Sequence, residues 1–357
     1  MKAASILTLL LAFGLVSLSD AQTPPGASCK TGLPNGVRVT PGNRTISAAL
    51  TNLPSDGQLY TLLIESGVYN EQVWVNRSNV ILRSCGTTSK KVVVQYAYGV
   101  STSGRFSDAV TSVLLVARTN VSAYDIAFNN INPQAKNTAA LALTVNFNAQ
   151  HAGFYGCSFF GFQDTVLINM GSQAYFEKCY IEGSVDFIWG YGKAYFKNCT
   201  IGSNSAGYVT AHNRANATAD GGFIFDHCTI KPVMSSFPAL TNYTIAYANL
   251  STAYSTRRTF LGRPYSQYAR VVYLESYLDS HLNVSRWTVW NLNDTRTGNP
   301  GAYTVLFGEY MNYGPGSNST PAAFATTLGS AAAKQFSLSS FFKNDTAWID
   351  ASARIAA

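Results

Sequence analysis

The chain has 357 residues, of which 46% are hydrophobic, 13% aromatic and 12% charged, with a formal charge of +7. That hydrophobic share supports a large core and excludes an intrinsically disordered chain, while Glu and Lys are too scarce for a coiled coil. With 21 Tyr, 20 Phe and 28 Gly, the composition favours β structure, in one large all-β domain or two smaller ones.

The chain opens like a secretory signal. Lys2 supplies a positive start, Ile6 to Val16 is an apolar run too short to span a bilayer, and Ser19-Asp20-Ala21 ends in small residues. Cleavage before Gln22 is expected, leaving residues 22–357 at an unchanged +7, because the segment removed carries one Lys and one Asp. No later stretch reaches eighteen apolar residues, so a secreted, extracellular protein without a membrane span is expected. Asn-x-Ser/Thr sequons begin at Asn43, Asn76, Asn120, Asn198, Asn216, Asn242, Asn249, Asn283, Asn293, Asn318 and Asn344, in keeping with a glycoprotein. Asn198, beside Cys199 in a predicted buried strand, is the least suited of them to carry a glycan. The basic charge fits either a simply soluble surface or a polyanionic partner such as an acidic polysaccharide. No Lys/Arg cluster or basic helix points to nucleic acid.

Thr45-Ile46-Ser47-Ala48-Ala49-Leu50 reads as a short helix able to cap the end of a solenoid. The solenoid is predicted by a repeat. Phe154-Tyr155-Gly156-Cys157 is followed by Tyr175-Phe176-Glu177-Lys178-Cys179, Tyr195-Phe196-Lys197-Asn198-Cys199 and Phe223-Ile224-Phe225-Asp226-His227-Cys228, with the cysteines 22, 20 and 29 residues apart. Short alternating strands at a period near twenty predict a single-domain parallel β-helix. Further coils are expected around Val80–Cys85, Val121–Phe128 and Arg270–Tyr277. A sandwich or barrel would instead show hairpin turns every 8–12 residues and no constant period. Residues 317–357 are expected to pack along the outside. Cys179 and Cys199 would stack about 4.8 Å apart on adjacent coils, as a disulfide or as free thiols. Cys29 and Cys85 fall outside the repeat and are candidates to staple the N-terminal segment to the solenoid. Spacing alone selects no pairing among the six cysteines.

Several common catalytic patterns are absent, among them G-x-S-x-G, H-E-x-x-H and the P-loop. His151, His212, His227 and His281 lack metal-ligand spacing, and no metal site is expected. Two acids stand out: Asp164 in Gly161-Phe162-Gln163-Asp164-Thr165, and Asp186 in Ser184-Val185-Asp186-Phe187-Ile188-Trp189-Gly190. Their separation of 22 residues equals the Cys157–Cys179 spacing, so a β-helix sets them side by side on neighbouring coils. Two such carboxylates repel, one pKa rises, and the pair can divide into a proton donor and an attacking anion. Arg263, framed by Gly262 and Pro264, is the candidate to keep one of them ionised.

These segments resemble the pectin methylesterase (pectinesterase) family. The resemblance begins at Gly67-Val68-Tyr69-Asn70-Glu71, runs through G-F-Q-D-T at 161–165, S-V-D-F-I-W-G at 184–190 and L-G-R-P-Y at 261–265, and ends at Phe307-Gly308-Glu309-Tyr310-Met311-Asn312-Tyr313-Gly314-Pro315-Gly316. It implies a right-handed parallel β-helix and hydrolysis of methyl-esterified pectin without any cofactor, by a protein expected to be monomeric. By this resemblance Asp186 corresponds to the nucleophile, Asp164 to the general acid/base, Gln163 to an oxyanion-stabilising amide and Arg263 to the partner of the nucleophile. Tyr265, where the family usually has Trp, and Trp287 are the implied sugar-binding aromatics.

Three departures stand against the pattern. Ala139-Ala140-Leu141-Ala142-Leu143 replaces the usual Q-A-V-A-L and so lacks a second active-site Gln, Gln134 being out of register. Tyr265 replaces Trp, and Trp189-Gly190-Tyr191 replaces F-G-N. They leave open a non-catalytic relative that binds pectin or another acidic glycan. A glycosidase or lyase of the polygalacturonase type is disfavoured, because the chain has no Asp-Asp and no His-Gly.

Overall fold

The computed structural model describes residues 35–86, 91–100, 108–132, 138–236, 247–290 and 304–350. The expected signal segment 1–21, Cys29, Gln134 and the sequons at Asn242 and Asn293 lie outside the described residues.

The repeat read from the sequence is a right-handed parallel β-helix. One face is an 11-stranded parallel sheet running from Gly36–Val39 to Ala325–Thr327. The other two faces are joined into a 13-stranded sheet because Tyr180–Gly190 continues across the corner between them. Its first half pairs with Ser158–Phe160 and its second half with Val166–Ile168. Thr200–His212 makes the same continuation one coil further on.

The repeated aromatic of each coil explains the period. Phe154, Phe176, Phe196, Phe225 and Tyr273 stack in the interior, with successive ring centroids 4.8, 4.6, 4.6 and 4.4 Å apart. Each ring fills one coil's thickness, so the offset-stacked column fixes the register from coil to coil. Beside it, Cys157, Cys179, Cys199 and Cys228 form a buried column of free thiols. The Cys179, Cys199 and Cys228 thiols point to the carbonyls of Phe154, Phe176 and Phe196 at 3.4, 3.6 and 3.3 Å. Of the two forms left open for the cysteine stack, the ladder of thiols is the one present. Cys85 is disulfide-bonded.

Both ends of the chain close over the solenoid. The helix Ile46–Thr51 is capped by Thr45, whose Oγ1 accepts from the Ala48 N–H at 3.0 Å. Glu71, the acid of the Gly67–Glu71 segment, accepts from the Ile46 and Ser47 N–H groups at 2.8 and 3.0 Å. That carboxylate satisfies amides which no helical carbonyl can reach. At the other end, Phe336, Phe341, Phe342 and Ile349 bury themselves against Tyr124, Tyr155, Tyr175 and Tyr195 on the outside of the 11-stranded sheet. The described part of the 317–357 segment thus packs along the outside only from Leu328 on; Ala325–Thr327 is instead the last strand of the sheet, and Ala322, Phe324 and Ala325 close over the interior core.

Candidate active site

The site lies on the face built from Val166–Ile168 and the second halves of the two long strands. In this sheet Val166 pairs with Ile188, Ile188 with Thr210, and Ala211 with Arg263. Asp164 precedes Val166 by two residues and Asp186 precedes Ile188 by two, so the acids stand in line on adjacent coils, with the Asp164 N–H donating to the Val185 carbonyl at 3.0 Å.

Both aspartates occupy left-handed backbone, with φ of 61° at Asp164 and 50° at Asp186. Asp tolerates this region better than most residues, and bulged backbone beside a site commonly re-aims a side chain. Such a bulge is present here: the register shifts between Val185 and Ile188 against Tyr208 and Thr210. Gly183 makes room for it, since a Cβ there would meet the Phe187 Cβ at 2.2 Å.

Arg263 stands two coils from Asp186 and reaches it across the coil of Tyr208. Its Nε donates to Asp186 Oδ1 at 2.9 Å and its Nη2 to Oδ2 at 2.6 Å, a two-point fork. The guanidinium is held between the rings of Tyr208 and Trp290, 3.9 Å from each centroid.

The two carboxyls are thereby made unequal. Burial pushes Asp186 up from the ordinary carboxylate value, and the Arg263 fork works against that rise. Asp164 is held well above the ordinary value, first by desolvation, then by the negative charges of Asp186 and Asp108. The positive charge of Arg263 and then the neighbouring Gln163 amide oppose the shift in part. Asp108 opens the 3-10 turn Asp108–Thr111, and burial raises its carboxyl as well. The arrangement has the ingredients of acid–base chemistry at a carbonyl: one carboxyl biased towards its protonated form and one whose charge an arginine supports.

Tyr265 is half-buried beside Arg263's aromatic neighbours, with its ring 5.1 Å from Trp290, 6.0 Å from Tyr191 and 6.4 Å from Trp189. Trp287 is not part of this cluster. It is 1% exposed, stacks on Phe307 at 4.3 Å and donates its indole N–H to Glu309 at 2.8 Å. The Arg286 Nε donates to the same carboxylate at 2.8 Å, so the first Trp of Arg286-Trp287-Thr288-Val289-Trp290 belongs to the core. Trp290, three residues on, is the one of the two that packs against Arg263 and Tyr265. In extended chain, positions three apart face opposite ways, so choosing between the two Trp requires knowing which one points inward.

Asp108 and Tyr208 were also missed. Asp108 lies outside every repeated segment, and no sequence signal marks it. Ala139 packs in the apolar cluster of Trp189 and Tyr265, with no side-chain amide at this position. Among the described residues no group of three or more His, Cys, Asp or Glu is placed to hold a metal ion.

Comparisons agree with this geometry. A pectinesterase family model matches residues 39–345. Pectinesterase A of Emericella nidulans is 32% identical over 330 residues, covering 90% of this chain and 91% of the relative. The crystal structure of the pectin methylesterase from Aspergillus niger superposes with a TM-score of 0.73 at 28% identity, over 90% of this chain and 99% of that one. The carrot pectin methylesterase gives a TM-score of 0.74 at 24% identity, over 89% of this chain and 96% of that one, a likeness of fold. With the family model spanning most of the chain and two aligned aspartates, one of them in the fork of an arginine, this chain belongs to the pectinesterase family.

Proposed function

We propose that this chain is a pectin methylesterase, a carboxylic ester hydrolase that converts methyl-esterified polygalacturonate to pectate and methanol. The observation that carries the assignment of roles is the asymmetry of the two aspartates: Arg263 holds Asp186 at two points, whereas Asp164 faces two other carboxyls. Asp186 is the nucleophile and attacks the ester carbonyl carbon. The carbonyl oxygen takes up negative charge and is stabilised by the Gln163 amide. As the bond to the methoxy oxygen breaks, the raised carboxyl of Asp164 gives up its proton and methanol leaves. Asp164, now ionised, takes a proton from water. The hydroxide equivalent attacks the galacturonyl carbonyl of the acyl-enzyme and releases Asp186 with the free acid. Every proton is accounted for by these two carboxyls and water.

Tyr265 and Trp290 form the wall against which sugar faces stack. The signal segment, the exposed sequons at Asn43, Asn76, Asn120, Asn216, Asn249, Asn318 and Asn344, and the disulfide at Cys85 support a secreted glycoprotein. No helix among the described residues is long and apolar enough to cross a membrane. The protein works as a monomer in this reading, since the groove is assembled from one chain.

Methanol release from esterified pectin tests the assignment. Wild type releases methanol and Asp186→Ala does not. A wild-type protein that binds pectin without releasing methanol favours the glycan-binding alternative, to which the loss of an amide at Ala139 lends support.

A further inference from the structure

Two buried polar side chains with no part in the reaction brace the backbone beside the acid. Thr111 and Asn130 are 0% and 1% exposed. Thr111 closes the 3-10 turn that Asp108 opens, and its Oγ1 donates to the Asp108 carbonyl at 2.8 Å. The same Oγ1 accepts from the Leu141 N–H at 3.1 Å. Asn130 Nδ2 donates to the carbonyls of Leu141 and Thr111, each at 3.0 Å, and to that of Tyr98 at 2.8 Å. Its Oδ1 accepts from the Asn132 N–H at 3.0 Å. Side chains thus bond both main-chain groups of Leu141, and the Val113 N–H adds a bond to its carbonyl at 3.1 Å. The strand proper begins only at Leu143, so just before it these side chains supplement the ladder.

Leu141 is the neighbour of Asp164 on the preceding coil. It stands two residues before Leu143, as Asp164 stands two before the Val166 that pairs with Leu143. On either side of it, the Ala140 N–H donates to the Gln163 carbonyl at 3.3 Å and the Ala142 N–H to the Thr165 carbonyl at 2.8 Å. The backbone flanking Asp164 therefore rests on the backbone flanking Leu141. Asp164 itself holds left-handed backbone at φ 61°, a conformation that costs energy and persists where the surroundings fix it from several sides. A fully satisfied buried polar network is rigid enough to do so. We propose that Thr111 and Asn130 are positioning residues of this site, a brace that fixes the Leu141 backbone and through it the placing of the Asp164 carboxyl. The inference rests on the reading of Asp164 as the general acid.

Two substitutions at Thr111 separate its bonds from its bulk. Thr111→Val keeps the branched shape and removes both hydroxyl bonds. Assayed well below its Tm, it should lose kcat on the order of 10-fold, as a misplaced acid does, with KM changed less than about twofold. Thr111→Ser keeps the hydroxyl and loses a methyl group, so it should hold kcat within about threefold of wild type even where the lost packing lowers Tm. Were the brace only structural, both folded variants would turn over at the wild-type rate. Asp164→Asn is assayed alongside for methanol release. Thr111→Val at the wild-type kcat with Asp164→Asn inactive overturns this inference alone. Asp164→Asn at the wild-type rate overturns the acid reading and this inference with it. Thr111→Ser losing as much kcat as Thr111→Val also overturns the inference, because the hydroxyl bonds are then not what counts. A further measurement uses the wild-type protein and needs no variant to fold. In amide hydrogen exchange, the Leu141 N–H, held by the Thr111 hydroxyl, should be as protected as the Asp164 N–H, held by the Val185 carbonyl. A Leu141 amide that exchanges as fast as an exposed loop amide shows that the brace does not hold, and sinks the proposal.

Discussion

Arg263 grips Asp186 from two coils away, and its guanidinium crosses the intervening coil between the rings of Tyr208 and Trp290. Two parallel N–H bonds fix the carboxylate in its plane, and the two rings cover both faces of the fork. This contact makes unequal two aspartates that the fold would otherwise leave nearly equivalent.

Arg263→Ala should therefore lower kcat by about 100-fold or more while changing KM little, because a displaced nucleophile loses its attack geometry. It should also move the acid limb of the pH–rate profile upward, since burial then raises Asp186 unopposed. Arg263→Lys keeps the charge but not the fork and should recover only part of the rate. An unmoved acid limb with unaltered kcat would reduce Arg263 to a structural role.

Asp164 should cost the protein stability at neutral pH. Its folded carboxyl is held well above the ordinary 3.8. For a raised group, the stabilising contribution is complete below the unfolded value and is lost as pH rises through the folded one. Asp164→Asn should thus be inactive but more stable than wild type at pH 7, by roughly 1 kcal/mol or about 2 °C in Tm. The gain should vanish near pH 4. Thermal melts of both proteins across that range provide the check. His212 and His281, whose buried rings are pushed down to about 3 and about 4, contribute equally to both curves and cancel in the difference.

Asp108 should set the alkaline side of the profile. Its charge is one of three influences raising Asp164, after burial and Asp186. Asp108→Asn removes that repulsion and should lower the pKa of Asp164, so the acid loses its proton at lower pH and the alkaline limb shifts down. Arg263 and Gln163, the other groups bearing on Asp164, are untouched by this change. The pH–rate profile of Asp108→Asn decides it; an unshifted alkaline limb would exclude Asp108 from the site's electrostatics.

Trp287 and Tyr265 should fail differently. Trp287→Ala leaves a cavity against Phe307 and strips a donor from Glu309, at a cost of about 3–5 kcal/mol seen as loss of Tm. Tyr265→Ala should leave Tm nearly unchanged and raise KM by about fivefold, as loss of uniform binding does. Chemical denaturation beside steady-state kinetics separates the two outcomes.

The sequence by itself determined everything that repeats. The spacing of Cys157, Cys179 and Cys199 gave the length of a coil, and the identical spacing of Asp164 and Asp186 put the acids in line. A β-helix stacks equivalent positions, so local periodicity translates directly into neighbourhood. It also left two states open at the cysteines, where only the geometry of the column shows thiols pointing at carbonyls. What the tertiary structure alone decided are the contacts that break the period. Arg263 reaches past one whole coil, Asp108 comes from a turn outside the repeat, and the bulge after Val185 aims Asp186 by one unpaired residue. Trp287, expected beside the substrate, is instead a core residue because its bridge to Gly262 turns it inward, and residue type alone does not tell which Trp of the pair faces the core. Such contacts depend on register shifts and side-chain reach across coils, and a local pattern of apolar and polar residues carries no information about either.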